Sequence, residues 1–323
     1  MTLPRPLLAL SGVRVRYRVR RGLGWQTREV VRGVSLEVAR GERYGLVGES
    51  GCGKSTLAKA IAGLVPIQGG RITVDGVPAG PPRARSAALR HRVQMVFQDA
   101  AGALNPRLSV GFLLREAHAH GIHRREPGGP AVLRILDQVG LPSEVLGRHP
   151  HALSGGQRQR VGIARALLTG AEILLADEPV SALDLSVQAQ ILELIRRLNE
   201  DTGVTCLFIS HDLDVVRYLC PRVAVMLAGR VVEEGPSERV LGSPAHPYTR
   251  ALLASIPHHM PPFAEDSVAE VAPAPDPDPE ASDRGCPFQG SCALVDMRCR
   301  AEMPPLIPLG EGHRAACFKH DAE

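Results

Sequence analysis

The sequence predicts an α/β fold with a helical segment inserted into it, on three observations. Short β-rich runs alternate with helical ones along most of the 323 residues. The run at 173–176 is apolar throughout, as a strand covered on both faces of a parallel sheet must be. From about 99 to 166 the strands give way to apolar positions at helical spacing, clearest at 132–139.

The elements follow in order. Strands are expected at 13–19 and 34–38, separated by an Arg-rich loop around Trp25. A strand at 43–47 runs into a glycine-rich turn, and a helix at 56–64 follows it. The strand at 71–75 is closed by Gly76, and a buried strand at 93–97 ends at Gln98. Beyond the inserted helices come the apolar strand, a helix at 187–198, a strand at 205–209 and a helix at 213–219. A hairpin over 223–234 turns at Ala228 and Gly229. Residues 261–285 hold six prolines and seven acids against one base, the composition of an extended linker. The expected division is therefore a body over 1–260, a linker over 261–285 and a small C-terminal piece over 286–323.

Hydrophobic content of 44% and charged content of 22% are those of a globular protein. No apolar run approaches the roughly 18 residues that span a bilayer, and the first 25 residues lack the apolar stretch of a secretory leader. The chain is expected to stay in the cytoplasm and to reach a membrane only through a partner. A net charge of +4 gives no argument for nucleic acid.

Of 38 basic residues only Lys54, Lys59 and Lys319 are lysines. A lysine kept against such a drift marks a place where a compact ammonium is needed. Lys54 is such a place. It belongs to Gly48-Glu49-Ser50-Gly51-Cys52-Gly53-Lys54-Ser55, the phosphate-binding loop pattern, set between an expected strand and an expected helix. Backbone N–H groups of the loop and the helix N-terminus cradle phosphate. Lys54 neutralises the β- and γ-phosphates, Ser55 offers its hydroxyl to Mg²⁺, and Thr56 begins the helix. The apolar strand carries Asp177 to its end, where the carboxylate can hold Mg²⁺ through water. Glu178, next to it, can act as general base on the attacking water. An apolar run ending in two acids is weak evidence alone and strong evidence beside a phosphate loop.

The stretch Leu153-Ser154-Gly155-Gly156-Gln157 opens a second helix with two bare glycines and no lysine. Ser154 can cap that helix. One nucleotide does not need two such cradles from one chain, so this one should serve a neighbour's ATP. Here the sequence resembles the ABC transporter ATPases, whose signature is LSGGQ, over residues 10 to about 260. The resemblance implies a P-loop NTPase cassette with a RecA-like core sheet, an antiparallel β subdomain and the inserted helical subdomain. It implies that Gln98 contacts Mg²⁺ and the water and senses the membrane subunit. Ser181 and Asp184 match the loop joining two ATP sites across a dimer, and His211 matches the histidine that holds the γ-phosphate and orients Glu178. Tyr17 matches the aromatic that stacks on adenine, with Trp25 its rival.

Three stretches resemble the oligopeptide/dipeptide importers within that family. They are Val96-Phe97-Gln98-Asp99 with Leu104-Asn105-Pro106-Arg107, then His246-Pro247-Tyr248-Thr249, then the cysteine-bearing end. Ala100 and Ala101 depart from the first pattern, where a Pro-aromatic pair is usual. The implied partners are a second ATP-binding subunit, identical or sibling, two transmembrane permease subunits and, indirectly, an extracytoplasmic substrate-binding protein. Related importers of nickel complexes, opines or glycans share these features. A soluble ABC ATPase of DNA repair or translation is the rival class, opposed by the single cassette and the lack of a heptad run. A pure binding module is opposed by Glu178 and His211.

Cys286, Cys292, Cys299 and Cys317 are spaced by five, six and seventeen residues. Disulfides do not suit a reducing cytoplasm. Zinc usually brings C-x₂₋₄-C knuckles, which are lacking. A [4Fe–4S] cluster suits four thiolates with Pro287 after the first. Cluster, zinc and no metal all stay open.

Overall fold

The computed structural model describes residues 5–22, 24–122, 128–255 and 285–320. The chain opens with a long antiparallel hairpin, β1 (Leu8–Arg21) and β2 (Gly24–Val38), paired from Leu8↔Val38 out to Arg21↔Gly24. The Arg-rich stretch around Trp25 is thus strand and not loop. In the outer half of the hairpin the side chains of β2 from 24 to 28 are exposed, so arginines stand in water without cost to the ladder.

β3 (Arg43–Val47) leads into α1 (Lys54–Ala62), and β4 (Gly69–Val74) and β5 (Val77–Pro78) return along the hairpin. A four-stranded sheet results, in the order β2-β1-β4-β5. After α2 (Ala87–Arg92) and β6 (Val93–Val96) come α3 (Ala100–Ala103), α4 (Val110–His120), α5 (Gly128–Gln138) and α6 (Gly155–Leu168). These four form the inserted helical subdomain. Then follow β7 (Ile173–Asp177), α7 (Leu185–Thr202), β8 (Thr205–Ser210), α8 (Leu213–Leu219), β9 (Arg222–Leu227) and β10 (Arg230–Pro236).

The second sheet runs β11-β12-β10-β9-β3-β8-β7-β6. Its centre is parallel: β6 pairs with β7, β7 with β8, β8 with β3, and β3 with β9. β7 and β8 are buried at every residue, which is why 173–176 and 206–209 are continuously apolar. The strands' C-terminal ends, and the loops leaving them, share one edge, where ligands of open α/β sheets bind.

The C-terminal piece does not stand apart. After α9 (Ser237–Gly242) and α10 (Pro247–Ala254) the chain re-enters the described residues at Gly285, forms α11 (Met297–Ala301), and ends in β11 (Ile307–Pro308) and β12 (Arg314–Ala315). The linker proposed at 261–285 lies, apart from Gly285, outside the described residues. β12 extends the core sheet by pairing with β10, Glu233 opposite Ala315 and Glu234 opposite Arg314. Phe288, Phe318, Cys286 and Cys299 belong to the same buried cluster as the core helices. The piece is therefore held by the body's own core and sheet.

Two carboxylates fix the join. Glu233 and Glu234 have no solvent exposure, and successive strand residues face opposite sides. Glu233 accepts from the N–H groups of Ala245 (2.7 Å) and His246 (3.0 Å) and meets His313 Nε2 at 2.7 Å. Glu234 accepts from Arg222 at 3.0 Å and also pairs with Arg314. Each buried carboxylate thus has partners both in the body and in the C-terminal piece, so losing the latter leaves it only partly satisfied in the core.

Candidate nucleotide-binding and hydrolysis site

The loop between β3 and α1 is a cradle that only glycine can line. Gly48 sits at φ 147°, and a Cβ there would lie 2.1 Å from the Met226 carbonyl oxygen. Gly53, at φ 110°, would meet the Val30 carbonyl oxygen at 2.7 Å. The walls are therefore β2 and the β9–β10 turn. That turn, with Ala228 at φ 45° and Gly229 at φ 84°, donates from Gly229 N–H to the Cys52 carbonyl at 2.8 Å. Cys52 is itself buried, which pushes its thiol pKa up. Gly51 and Ser50 stand at the open mouth of the loop, and Thr56 is half-buried on the first turn of α1.

Lys54 is 4% exposed, and its ammonium is aimed by the loop. Two donors go to the carbonyls of Gly48 (2.6 Å) and Glu49 (2.8 Å). The third points at Cys52 Sγ at 3.8 Å, a weak acceptor that a phosphate oxygen in the cradle would displace. Ser55 Oγ donates to Asp177 Oδ1 at 2.8 Å, bringing the two expected Mg²⁺ ligands together. Burial raises the Asp177 pKa and the neighbouring Glu178 adds to it, while the Ser55 hydroxyl opposes both. A cation at this point would favour the ionised form.

Glu178 adopts φ 47°, a left-handed backbone that costs a non-glycine residue on the order of 1 kcal/mol. Its N–H is held by the Ile209 carbonyl at 2.9 Å, so β8 enforces the turn. The turn lifts the side chain off the strand end, where Oε2 lies 3.3 Å from His211 Nδ1. His211 is well exposed and Glu178 mostly enclosed. The base and the histidine expected to orient it are in contact.

Gln98 reaches the loop that follows Glu178. Its amide Nε2 donates to Ser181 Oγ at 3.1 Å, and Ser181 Oγ donates to the Glu178 carbonyl at 3.1 Å. In this structure the glutamine is thus tied to the loop after Glu178. Asp184 accepts from the Val187 N–H (2.9 Å) and the Ser186 hydroxyl (2.7 Å), capping α7. These bonds, with the Ser186 hydroxyl the largest cause, lower its pKa. The adjacent Leu185 is 84% exposed. The sequence reading missed Leu185, whose signal was an apolar residue directly after the loop.

Ser154 caps α6 in a reciprocal box: its Oγ accepts from Gln157 N–H at 3.2 Å, and Gln157 Oε1 accepts from Ser154 N–H at 3.0 Å. A Cβ on Gly155 would come within 2.9 Å of Leu183 Cδ2, and one on Gly156 within 2.4 Å of Val187 Cγ1. The glycines let α6 lie against the loop carrying Ser181 and Asp184. Tyr17 is half-buried against the β-subdomain core. Trp25 is 66% exposed near the hairpin end, with the Arg18 guanidinium 5.4 Å from its ring.

Beside Gln98 a groove of about 490 Å³ opens between β6 and the helices α4 and α6, lined by Met95, Phe97, Leu104, Ala117 and Gln159 among others. The four C-terminal cysteines line a second cavity, of about 10 Å³, together with Phe288 and Phe318.

Known proteins of similar sequence and shape bear on this site. The ABC transporter family model matches residues 31–181, and the model of the oligopeptide/dipeptide transporter C-terminal region matches residues 232–299. A probable peptide ABC transporter ATP-binding protein of Sinorhizobium fredii is 46% identical over 89% of this chain and 81% of its own. The oligopeptide transport ATP-binding protein OppF of Escherichia coli is 37% identical over 98% of this chain and 96% of its own. Among solved structures, a dimeric ATP-binding cassette in a post-hydrolysis state, bound to ADP and Pi, superposes with a TM-score of 0.61 at 29% identity, covering 71% of this chain and 98% of that one. A cassette from Clostridium perfringens, part of an ABC transporter complex, reaches 0.64 at 28% identity, covering 74% and 92%.

Proposed function

We infer from one premise, that this chain belongs to the ABC transporter ATPases and to their oligopeptide/dipeptide branch, that it hydrolyses ATP to drive peptide import. The observation that carries the hydrolytic half is the contact between Glu178 and His211 at the end of the strand that also presents Asp177 to Ser55. ATP is the nucleotide, Mg²⁺ its counter-ion, and a second ATP-binding subunit and membrane permeases are the partners. Among the described residues no helix is long and apolar enough to cross a membrane, which suits a subunit that sits on the cytoplasmic face of its permeases.

The residues divide the work. The N–H groups from Gly51 to Thr56 and the Lys54 ammonium bind the β- and γ-phosphates. Ser55, Asp177 and Gln98 would hold Mg²⁺, which when bound would neutralise phosphate charge. Water attacks the γ-phosphorus and gives its proton to Glu178, and the bond to the β–γ bridging oxygen breaks with its electrons left on ADP. His211 holds Glu178 and the γ-phosphate in line. Tyr17 takes the adenine face, since Trp25 lies out on the exposed hairpin. Ser154, Gly155, Gly156 and Gln157 close over the ATP of the partner cassette, and Ser181, Asp184 and Leu185 lie at that join. The groove beside Gln98 would receive an apolar element of a permease, so that its occupancy moves Gln98 between Ser181 and the metal. The cargo reading rests on the C-terminal region, with nickel complexes, opines or glycans as the alternatives.

The cysteine pocket fits a metal in its donors: four thiols line one cavity. Among the described residues no group of three metal-binding side chains already converges as a single ion requires. Zinc would draw its sulfurs to about 2.3 Å, whereas a [4Fe–4S] cluster holds four thiolates around a wider cube. The cavity would have to open for a cluster, because its present space is about one water's worth. Burial pushes the Cys286 thiol to about 11 and raises Cys292 and Cys299 as well. Loading would therefore release protons. We place a cluster first, with zinc or no metal as the alternatives.

One purification tests both readings. Isolated anaerobically from detergent-solubilised membranes, the chain should bring two permease subunits and a second cassette with it. Elemental analysis should find iron and sulfide, or else stoichiometric zinc, lost when Cys286 and Cys299 are changed to Ser. A chain that purifies alone contradicts the transport role; folded protein with neither metal contradicts the pocket reading.

A further inference from the structure

We propose that Tyr248 is a positioning residue of the phosphate loop, and that Phe288, against which its ring rests, holds it in that position.

The Tyr248 side chain is 1% exposed. Its hydroxyl accepts from the backbone N–H of Glu49 at 3.2 Å. That N–H belongs to the same peptide group as the Gly48 carbonyl, which accepts from Lys54 Nζ at 2.6 Å. A trans peptide is planar, so its N–H and C=O point in opposite directions. Holding one end therefore fixes the other. Gly48, at φ 147° and with no Cβ, is free to rotate unless something outside the loop holds it. Tyr248 does so from across the fold, and thereby sets the direction in which Lys54 meets a phosphate.

Tyr248 is itself held from two sides. Its backbone N–H donates to His246 Nδ1 at 3.0 Å, and His246 N–H donates in turn to buried Glu233. Burial lowers the His246 pKa to about 4, so the ring is neutral near pH 7 and its Nδ1 can accept. The Tyr248 ring rests edge-on against Phe288, with centroids 5.7 Å apart at 63°. Phe288 lies two residues after Cys286 and lines the cavity that all four cysteines share. The path runs from Phe288 to Tyr248, to the Gly48–Glu49 peptide, to Lys54. Each link is a contact in the structure.

The test is the ATP dependence of hydrolysis by the assembled transporter carrying wild-type chain, Tyr248→Phe, Phe288→Leu or both changes. Tyr248→Phe keeps the ring and deletes the acceptor. It should raise the ATP KM about two- to tenfold, the range of one net hydrogen bond, with kcat within twofold and the unfolding temperature nearly unchanged. Phe288→Leu should raise KM in the same sense, and the double variant should be no worse than the larger single, because both act through one contact chain. An unchanged KM for Tyr248→Phe, or a loss of kcat that tracks a lower unfolding temperature, overturns the positioning role. Multiplicative increments in the double variant overturn the link through Phe288.

Discussion

Glu178→Gln is expected to stop ATP turnover while leaving nucleotide bound. Glutamine keeps the size and the hydrogen-bonding edge of the side chain but cannot take a proton from water. Its backbone turn is imposed by the Ile209 carbonyl and not by the carboxylate, so the geometry should survive. Loss of a positioned general base lowers the rate by on the order of 10² to 10⁴. With ATP undischarged, the bound cassettes should stay together, and size exclusion in ATP should show a dimer that wild type does not hold. Turnover within a few-fold of wild type would remove Glu178 from the chemistry and leave the contact with His211 without a role.

The second large effect is expected at Gly155. An aspartate there sits on the first turn of α6, where a carboxylate favours the helix, so α6 should still form. The same carboxylate would meet phosphate in the partner's site, and its Cβ would press on Leu183, 2.9 Å away. Gly155→Asp and Lys54→Ala should each lower the turnover of dimers of this chain by on the order of 10²-fold or more. A mixture of the two variants separates neighbour from self. If α6 serves the partner's ATP, each mixed dimer has one intact Lys54 facing one intact Gly155. Random pairing makes half the dimers mixed, so turnover should return to about a quarter of wild type. If each chain closed its own site, no mixture would recover anything.

The residues that the structure brings together around the phosphate loop were legible in the sequence because each group is local. The phosphate loop, the Asp177–Glu178 pair and the capping box at Ser154 each lie within a few residues of one strand or helix end. What escaped the reading was set by distant partners. The arginines near Trp25 suggested a loop, because charge on both faces hides the strand period, yet β1 and β2 pair through them. Glu233 and Glu234 read as the polar end of a hairpin; both are buried because His313 and Arg314 arrive 80 residues later. β12 is only two residues long, too short to show a pattern, and it is nonetheless the strand that joins the C-terminal piece to the core sheet. The Tyr248 hydroxyl lies 199 residues from the loop it holds. In the sequence it was only one letter of a resemblance. Gln98, 83 residues before Ser181, donates to that hydroxyl, a contact between two loops that no local pattern announces.

The most direct measurement of the central claim is ATP-driven uptake of a labelled oligopeptide by vesicles containing the purified transporter. Vesicles with wild-type chain and Mg-ATP on the cassette side should accumulate peptide. Those with Glu178→Gln should bind ATP equally and accumulate none above the ATP-free level. Equal uptake by the two preparations, or steady hydrolysis by wild type with no movement of peptide, would contradict an ATPase that drives peptide import through the site built around Lys54, Asp177 and Glu178.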